Sequence, residues 1–150
     1  MLTGEYRNSL DEKGRLLIPA RLRSAISGNS LVVTRGVDRC LWLFPPEEWK
    51  SVVSGIIEAG NPFQEKVRII NRRIIAPAQE IELDKSGRFN IPATLAGWAG
   101  LQKECMVLGI SRYLEIWDLG EYQRYFKETE NEFREAAEEL GGLVAFNQKG

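Results

Sequence analysis

Apolar and polar positions along the chain follow one pattern, and they follow it twice. Residues around Glu5–Leu10 and Ala78–Leu83 alternate as strands do. A polar turn follows each, and then a short strand, Arg15–Ile18 or Arg88–Ile91. Pro19 and Pro92 suit the first position of a short helix, where a missing N–H costs nothing. Two strand pairs come next, Leu31–Arg35 with Cys40–Phe44 and Cys105–Ile110 with Tyr113–Trp117. Each is joined by a turn with Gly36 or Gly109 near its start. A longer helix closes each half. Trp49, Val52, Val53, Ile56 and Ile57 make the first stripe, opened by Pro45-Pro46 and ended by Gly60. Tyr122, Phe126, Thr129, Phe133 and Ala137 make the second, capped by Asp118 and stopped at Gly141-Gly142. Between the halves, Asn61 caps a linking helix with Pro62 at its first position and a stripe of Phe63, Val67, Ile70 and Ile74.

The residues themselves repeat. The stretch from Asp11 to Leu22, DEKGRLLIPARL, recurs from Asp84 to Leu95 as DKSGRFNIPATL, an offset of 73 residues. The same offset pairs Gly36 with Gly109, Arg39 with Arg112, Leu41 with Leu114 and Glu48 with Glu121. It also pairs apolar residues: Val37 with Ile110, Leu43 with Ile116, Phe44 with Trp117 and Trp49 with Tyr122. One ungapped register holds from Leu10/Leu83 to Trp49/Tyr122, too long a run for chance. We therefore divide the chain into a first half, 1–60, a linking helix, 61–75, a second half, 76–140, and a tail, 141–150. Halves of about 65 residues would each be marginal alone. The expected fold is α+β: two pseudo-symmetric repeats (β-turn-β, short helix, β-hairpin, helix) sharing one mainly antiparallel β core.

Composition narrows the chemistry. The 150 residues carry 20 Lys and Arg against 21 Asp and Glu, a net charge of −1, and no histidine. Without histidine, a neutral-pH general base, a histidine-activated nucleophile and most zinc sites lack their usual group. No Gly-rich phosphate loop or nucleophile elbow is present either, so neither an enzyme nor a small-molecule substrate is expected. Neither a cofactor nor a metal is expected. Cys40 and Cys105 both sit in apolar runs and are expected to be small buried hydrophobes. The N-terminal residues lack an apolar signal core, and no run approaches the ~18–20 apolar residues that span a bilayer. The expectation is a cytoplasmic protein with no membrane contact.

Near-neutrality conceals uneven charge. Residues 1–80 hold 12 Lys and Arg against 9 Asp and Glu, whereas residues 81–150 hold 8 against 12. Acid concentrates in residues 121–140; base concentrates at the first motif, as Arg7, Lys13, Arg15, Arg21 and Arg23. The second motif keeps Lys85 and Arg88 but has Thr94 and Ala96 where the first has Arg21 and Arg23. In each turn, glycine (Gly14, Gly87) supplies the backbone angle and aspartate (Asp11, Asp84) bonds its own backbone, a structural role. The turn then projects an arginine, whose planar fork suits phosphate and the O6/N7 edge of guanine. Arg15, with cations around it, is the foremost nucleic-acid candidate. Arg88 and Lys85 are candidates for DNA or for a subunit interface.

These residues also carry a family likeness. The two Asp-x-x-x-Arg motifs (Asp11–Arg15, Asp84–Arg88), Leu41-Trp42-Leu43-Phe44-Pro45 with Trp49, the segment opening at Asn61-Pro62, and Leu114-Glu115-Ile116-Trp117-Asp118 resemble the MraZ family. Members are bacterial cytoplasmic, nucleoid-associated regulators with the AbrB/SpoVT type of DNA-binding fold. The resemblance implies a homo-oligomeric ring that binds double-stranded DNA at direct repeats in the promoter of the division and cell-wall gene cluster. It implies DNA contacts from the turn arginine and from the following short helix, which fall here on Arg15 and Arg23. AbrB-like domains also place a basic residue in the first strand; that position is Asn8 here, with Arg7 beside it. The alternative function is a ring-forming scaffold that makes protein contacts without reading DNA.

Overall fold

In the computed structural model, which describes residues 1–143, the chain forms two compact units, Met1–Leu119 and Gly120 onward. Residues 144–150 of the expected tail lie outside the described residues.

The first unit contains eight strands: β1 (Leu2–Ser9), β2 (Arg15–Leu17), β3 (Ser30–Arg35), β4 (Leu41–Phe44), β5 (Gln79–Glu82), β6 (Arg88–Asn90), β7 (Glu104–Ser111) and β8 (Tyr113–Asp118). Six form one sheet in the order β1-β7-β8-β4-β3-β5, and β2 pairs with β6 in a separate two-stranded ribbon. Every pairing is antiparallel. The order is palindromic in the repeats. Each repeat supplies a hairpin to the middle of the sheet, and its first strand crosses to the other repeat's hairpin. Thus β1 lies on β7 and β5 lies on β3. At the centre of the sheet Trp42 sits opposite Glu115, its own counterpart 73 residues on, and donates to that carboxylate from Nε1 at 2.9 Å. In the ribbon Leu16 sits opposite its counterpart Phe89. The expected α+β fold of two repeats sharing an antiparallel core is therefore present, built by strand exchange.

The core follows the alternation. Leu16, Ile18, Leu22, Leu31, Val33, Leu41, Leu43, Leu95, Val107, Leu114 and Ile116 are all fully buried. Cys40 and Cys105 are buried and free; burial pushes the Cys105 thiol up to about 12 and raises Cys40 further. Equivalence across the repeat does not guarantee burial: Val37 and Ile110 lie at hairpin ends and are exposed.

Helices α1 (Ala20–Arg23) and α4 (Ala93–Trp98) follow Pro19 and Pro92. Helix α2 (Pro46–Ala59) starts and stops where the prolines and Gly60 require, but Ile57 faces solvent. The linking segment departs from expectation. Asn61 accepts the Phe63 N–H in an Asx turn, and α3 begins only at Glu65, after Gln64 rather than Asn61. It then widens into a π-helical stretch, Asn71–Ile75. There the buried Thr34 hydroxyl donates to the Ile74 carbonyl at 2.6 Å and anchors the segment to β3. Of the expected stripe only Ile74 is buried, while Phe63 is 94% exposed.

Asp118 ends β8 and directly precedes α5 (Leu119–Glu128). In the second unit the expected single closing helix is two. Thr129 leaves helical geometry, with φ −101° and ψ 18°, and its hydroxyl donates back to the Tyr125 carbonyl at 2.8 Å. Helix α6 (Glu130–Gly141) follows and contains no buried residue.

Truncating Leu16, at the centre of the ribbon, is expected to destabilise the fold by about 2–5 kcal/mol. Val37→Ala, at a residue 76% exposed, should stay within about 0.5 kcal/mol. Urea unfolding of both variants at one protein concentration checks the contrast.

Candidate nucleic-acid interface

The two motifs meet because each repeat's ribbon strand pairs with the other's. Both turns close in the same way. In the first, the Asp11 carboxylate accepts the Lys13 N–H at 2.9 Å and the Arg15 N–H at 2.8 Å, while the Gly14 N–H donates to the Asp11 carbonyl at 3.0 Å. In the second, Asp84 accepts from the Ser86 N–H at 2.9 Å and the Arg88 N–H at 3.0 Å. Gly14 (φ 74°) and Gly87 (φ 90°) occupy the left-handed region that the turn demands. The turns then interlock. The Ile18 N–H donates to the Gly87 carbonyl at 2.9 Å, and the equivalent Ile91 N–H approaches the Gly14 carbonyl at 3.4 Å.

The side chains break this symmetry. Arg15 Nε donates to Asp11 Oδ2 at 2.8 Å, and its Nη1 lies 4.0 Å from Asp84 Oδ2, so one guanidinium spans both turns. Among the described residues, the Arg88 guanidinium has no comparable partner. Arg23 donates from Nε to the Ile18 carbonyl at 2.9 Å and lies over Gly87. A Cβ on Gly87 would come within 2.4 Å of Arg23 Nε. Arg23 and Lys85 also border one polar hollow, together with Asp84 and Asn29. Lys13 at the first turn and Arg21 on α1 are exposed.

Alternation in the ribbon adds a face that the motif spacing did not reveal. Leu16 and Phe89 point into the core, so Arg15 and Leu17 on β2 and Arg88 and Asn90 on β6 share the outer face. Leu17 and Asn90 are neither charged nor part of the Asp-x-x-Gly-Arg signature, and only the strand register could have found them. Arg7 is not brought to this group. It lies on the opposite face of β1 from Tyr6 and Asn8, and it is Asn8 that reaches β2, donating to the Leu17 carbonyl at 2.8 Å.

Backbone donation governs the turn electrostatics. The Arg15 N–H holds the Asp11 carboxyl below the ordinary aspartate range, against the opposing effect of desolvation, with added help from the Arg15 guanidinium and the Lys13 N–H. Asp84 is lowered first by the Arg88 N–H, again against desolvation, then by the Ser86 N–H and the charge on Arg15. Because both carboxyls titrate lower folded than unfolded, their support for the turns is present above the unfolded value. It is lost as pH falls through the folded one. Among the described residues no group of three or more acidic or thiol side chains is arranged to hold a metal, and no helix is long and apolar enough to cross a membrane.

These features define an AbrB/SpoVT-like protein in which two strand-exchanged repeats in one chain bring two Asp-x-x-Gly-Arg turns together. The family model described as "MraZ protein, putative antitoxin-like" matches residues 1–71 and again 74–143, the spacing of the internal repeat. A protein named transcriptional regulator MraZ from Treponema denticola is 49% identical over 142 residues, covering 95% of this chain and 99% of its own. Another of that name, from Treponema pallidum, is 47% identical over 141 residues, covering 94% and 95%. The chain belongs to the MraZ family, whose named relatives here are regulators rather than enzymes.

The two turn glycines should respond differently to substitution. Gly14→Ala meets open space and costs only left-handed backbone strain, about 1–2 kcal/mol. Gly87→Ala adds the collision with Arg23, so it should lower the urea midpoint further and shift the Arg23 Nε–Hε resonance, which Gly14→Ala should leave in place.

Proposed function

We propose that the protein is a sequence-specific DNA-binding transcriptional regulator and that the ribbon and its two turns form the DNA-contacting surface. The observation that carries this reading is the pair of interlocked turns with Arg15 held in one orientation by Asp11. B-DNA's major groove admits a two-stranded β-ribbon, and an arginine fixed in place can discriminate a guanine edge. Lys13, Arg21, Lys85 and Arg88 suit phosphate, which needs charge more than fixed geometry. Arg23 positions the second turn through Gly87 and contributes charge beside it. The relatives' name, transcriptional regulator, supports the same reading.

The finer assignments follow the family. In this proposal the protein acts as a closed homo-oligomeric ring associated with the nucleoid, and it binds direct repeats in the promoter of the division and cell-wall cluster. Each protomer offers few cations, and a ring that engages consecutive repeats strengthens weak contacts through effective concentration.

Gel-shift titration of the promoter upstream of the protein's own gene tests the roles. Arg15→Ala should weaken promoter binding by about 1–3 kcal/mol per contact and narrow the margin over scrambled DNA. Lys13→Ala should weaken both duplexes alike and reduce the salt slope by about 1. Promoter affinity unchanged in Arg15→Ala would remove Arg15 from the interface.

A further inference from the structure

Two surfaces outside the ribbon are apolar and exposed; one lies on an acidic helix and the other beside a basic segment. The first is α6. Phe133 is 71% exposed and Leu140 56%. At 100° per residue these two and Ala137 share a stripe, bordered by Glu132 and Glu139 on one side and by Glu130 with its ion-pair partner Arg134 on the other. Phe126 continues the stripe past the break at Thr129, where it lines a shared hollow with Phe133. A lone 12-residue amphipathic helix is marginal in water, so this stripe calls for a partner.

The second surface lies between α2 and α3. Ile56, Ala59, Val67, Ile69 and Ile70 line a hollow of about 710 Å³, with Gln64, Glu65 and Lys66 at its edge. From residue 65 to 73 the chain carries Lys66, Arg68, Arg72 and Arg73 against Glu65. Lengths agree as well as signs: α6 is about 18 Å long and α2 about 21 Å. A phosphate backbone would satisfy the cations but leave the hollow empty. An acidic helix with an apolar stripe satisfies both.

We propose that α6 of one copy docks in the α2–α3 hollow of the next. Phe133 and Leu140 on α6 and Ile69 and Ile70 at the hollow are all exposed, and the two surfaces differ in residues and in charge. The contact is therefore heterologous, head to tail, the kind that closes into a ring when its rotation allows. This rests on the reading of the protein as a closed homo-oligomer and supplies that assembly with its joint.

Light scattering on the full chain, with circular dichroism as a check of folding, tests the joint. The variants E132K/E139K and K66E/R73E should each fall to at most half the wild-type mass. A chain carrying all four substitutions restores opposite charges across the joint and should regain that mass. If either reversed variant keeps the wild-type mass, or the fourfold variant stays small, the joint is wrong while the ring reading stands. Retained mass in K66E/R73E with lost promoter affinity would make the basic surface a DNA contact and overturn the proposal. A monomeric wild type would overturn the ring reading and the joint together.

Discussion

Each Asp-x-x-Gly-Arg turn is held in place by the opposite repeat. The Ile18 and Ile91 N–H groups reach the carbonyls of Gly87 and Gly14, and Leu16 packs opposite Phe89 beneath them. A buried N–H without an acceptor is costly, so neither turn can leave without stranding a donor in the other repeat. The strand exchange in the six-stranded sheet follows the same rule, since β1 and β5 complete hairpins that are not their own. A half of about 65 residues cut from this chain would lose both its turn partner and an edge strand.

On this symmetric frame the side chains are deliberately unequal. Arg15 is clamped to Asp11 and reaches toward Asp84, Arg23 covers Gly87, and the second helix has no arginines at the equivalent sites. Backbone hydrogen bonds and apolar pairs require the two halves to match, whereas surface charge does not. Duplicated scaffolds can therefore keep their geometry while one copy gathers the cations.

Much of this was legible in the chain. Alternation, glycine spacing and the 73-residue offset locate every strand among the described residues, because burial on one sheet face imposes a period of two. β1 nevertheless begins at Leu2, earlier than the Glu5 expected, because its pairing with β7 carries polar and glycine positions that alternation alone does not mark. The Asn61 cap failed because Asn-Pro closed a turn of its own first. The closing helix broke at Thr129 because a hydroxyl can bond the preceding turn, and a spacing rule that counts Thr as part of a stripe misses this. Proximity in the chain groups Arg7 with Arg15, but in a strand one residue reverses the face, and Arg7 lies on the opposite face of β1 from Asn8. The outer ribbon face of Leu17 and Asn90 depends on which strands pair, which no local pattern contains.

If the interlocked turns meet DNA, hydrogen–deuterium exchange of the full chain, with and without a duplex of the promoter upstream of its own gene, reads that contact at both turns. Slowed exchange on adding DNA should centre on residues 11–23 and 84–90, and a scrambled duplex should give less protection at the same salt. Protection confined to residues 120–143, with the two turns unchanged, would contradict it.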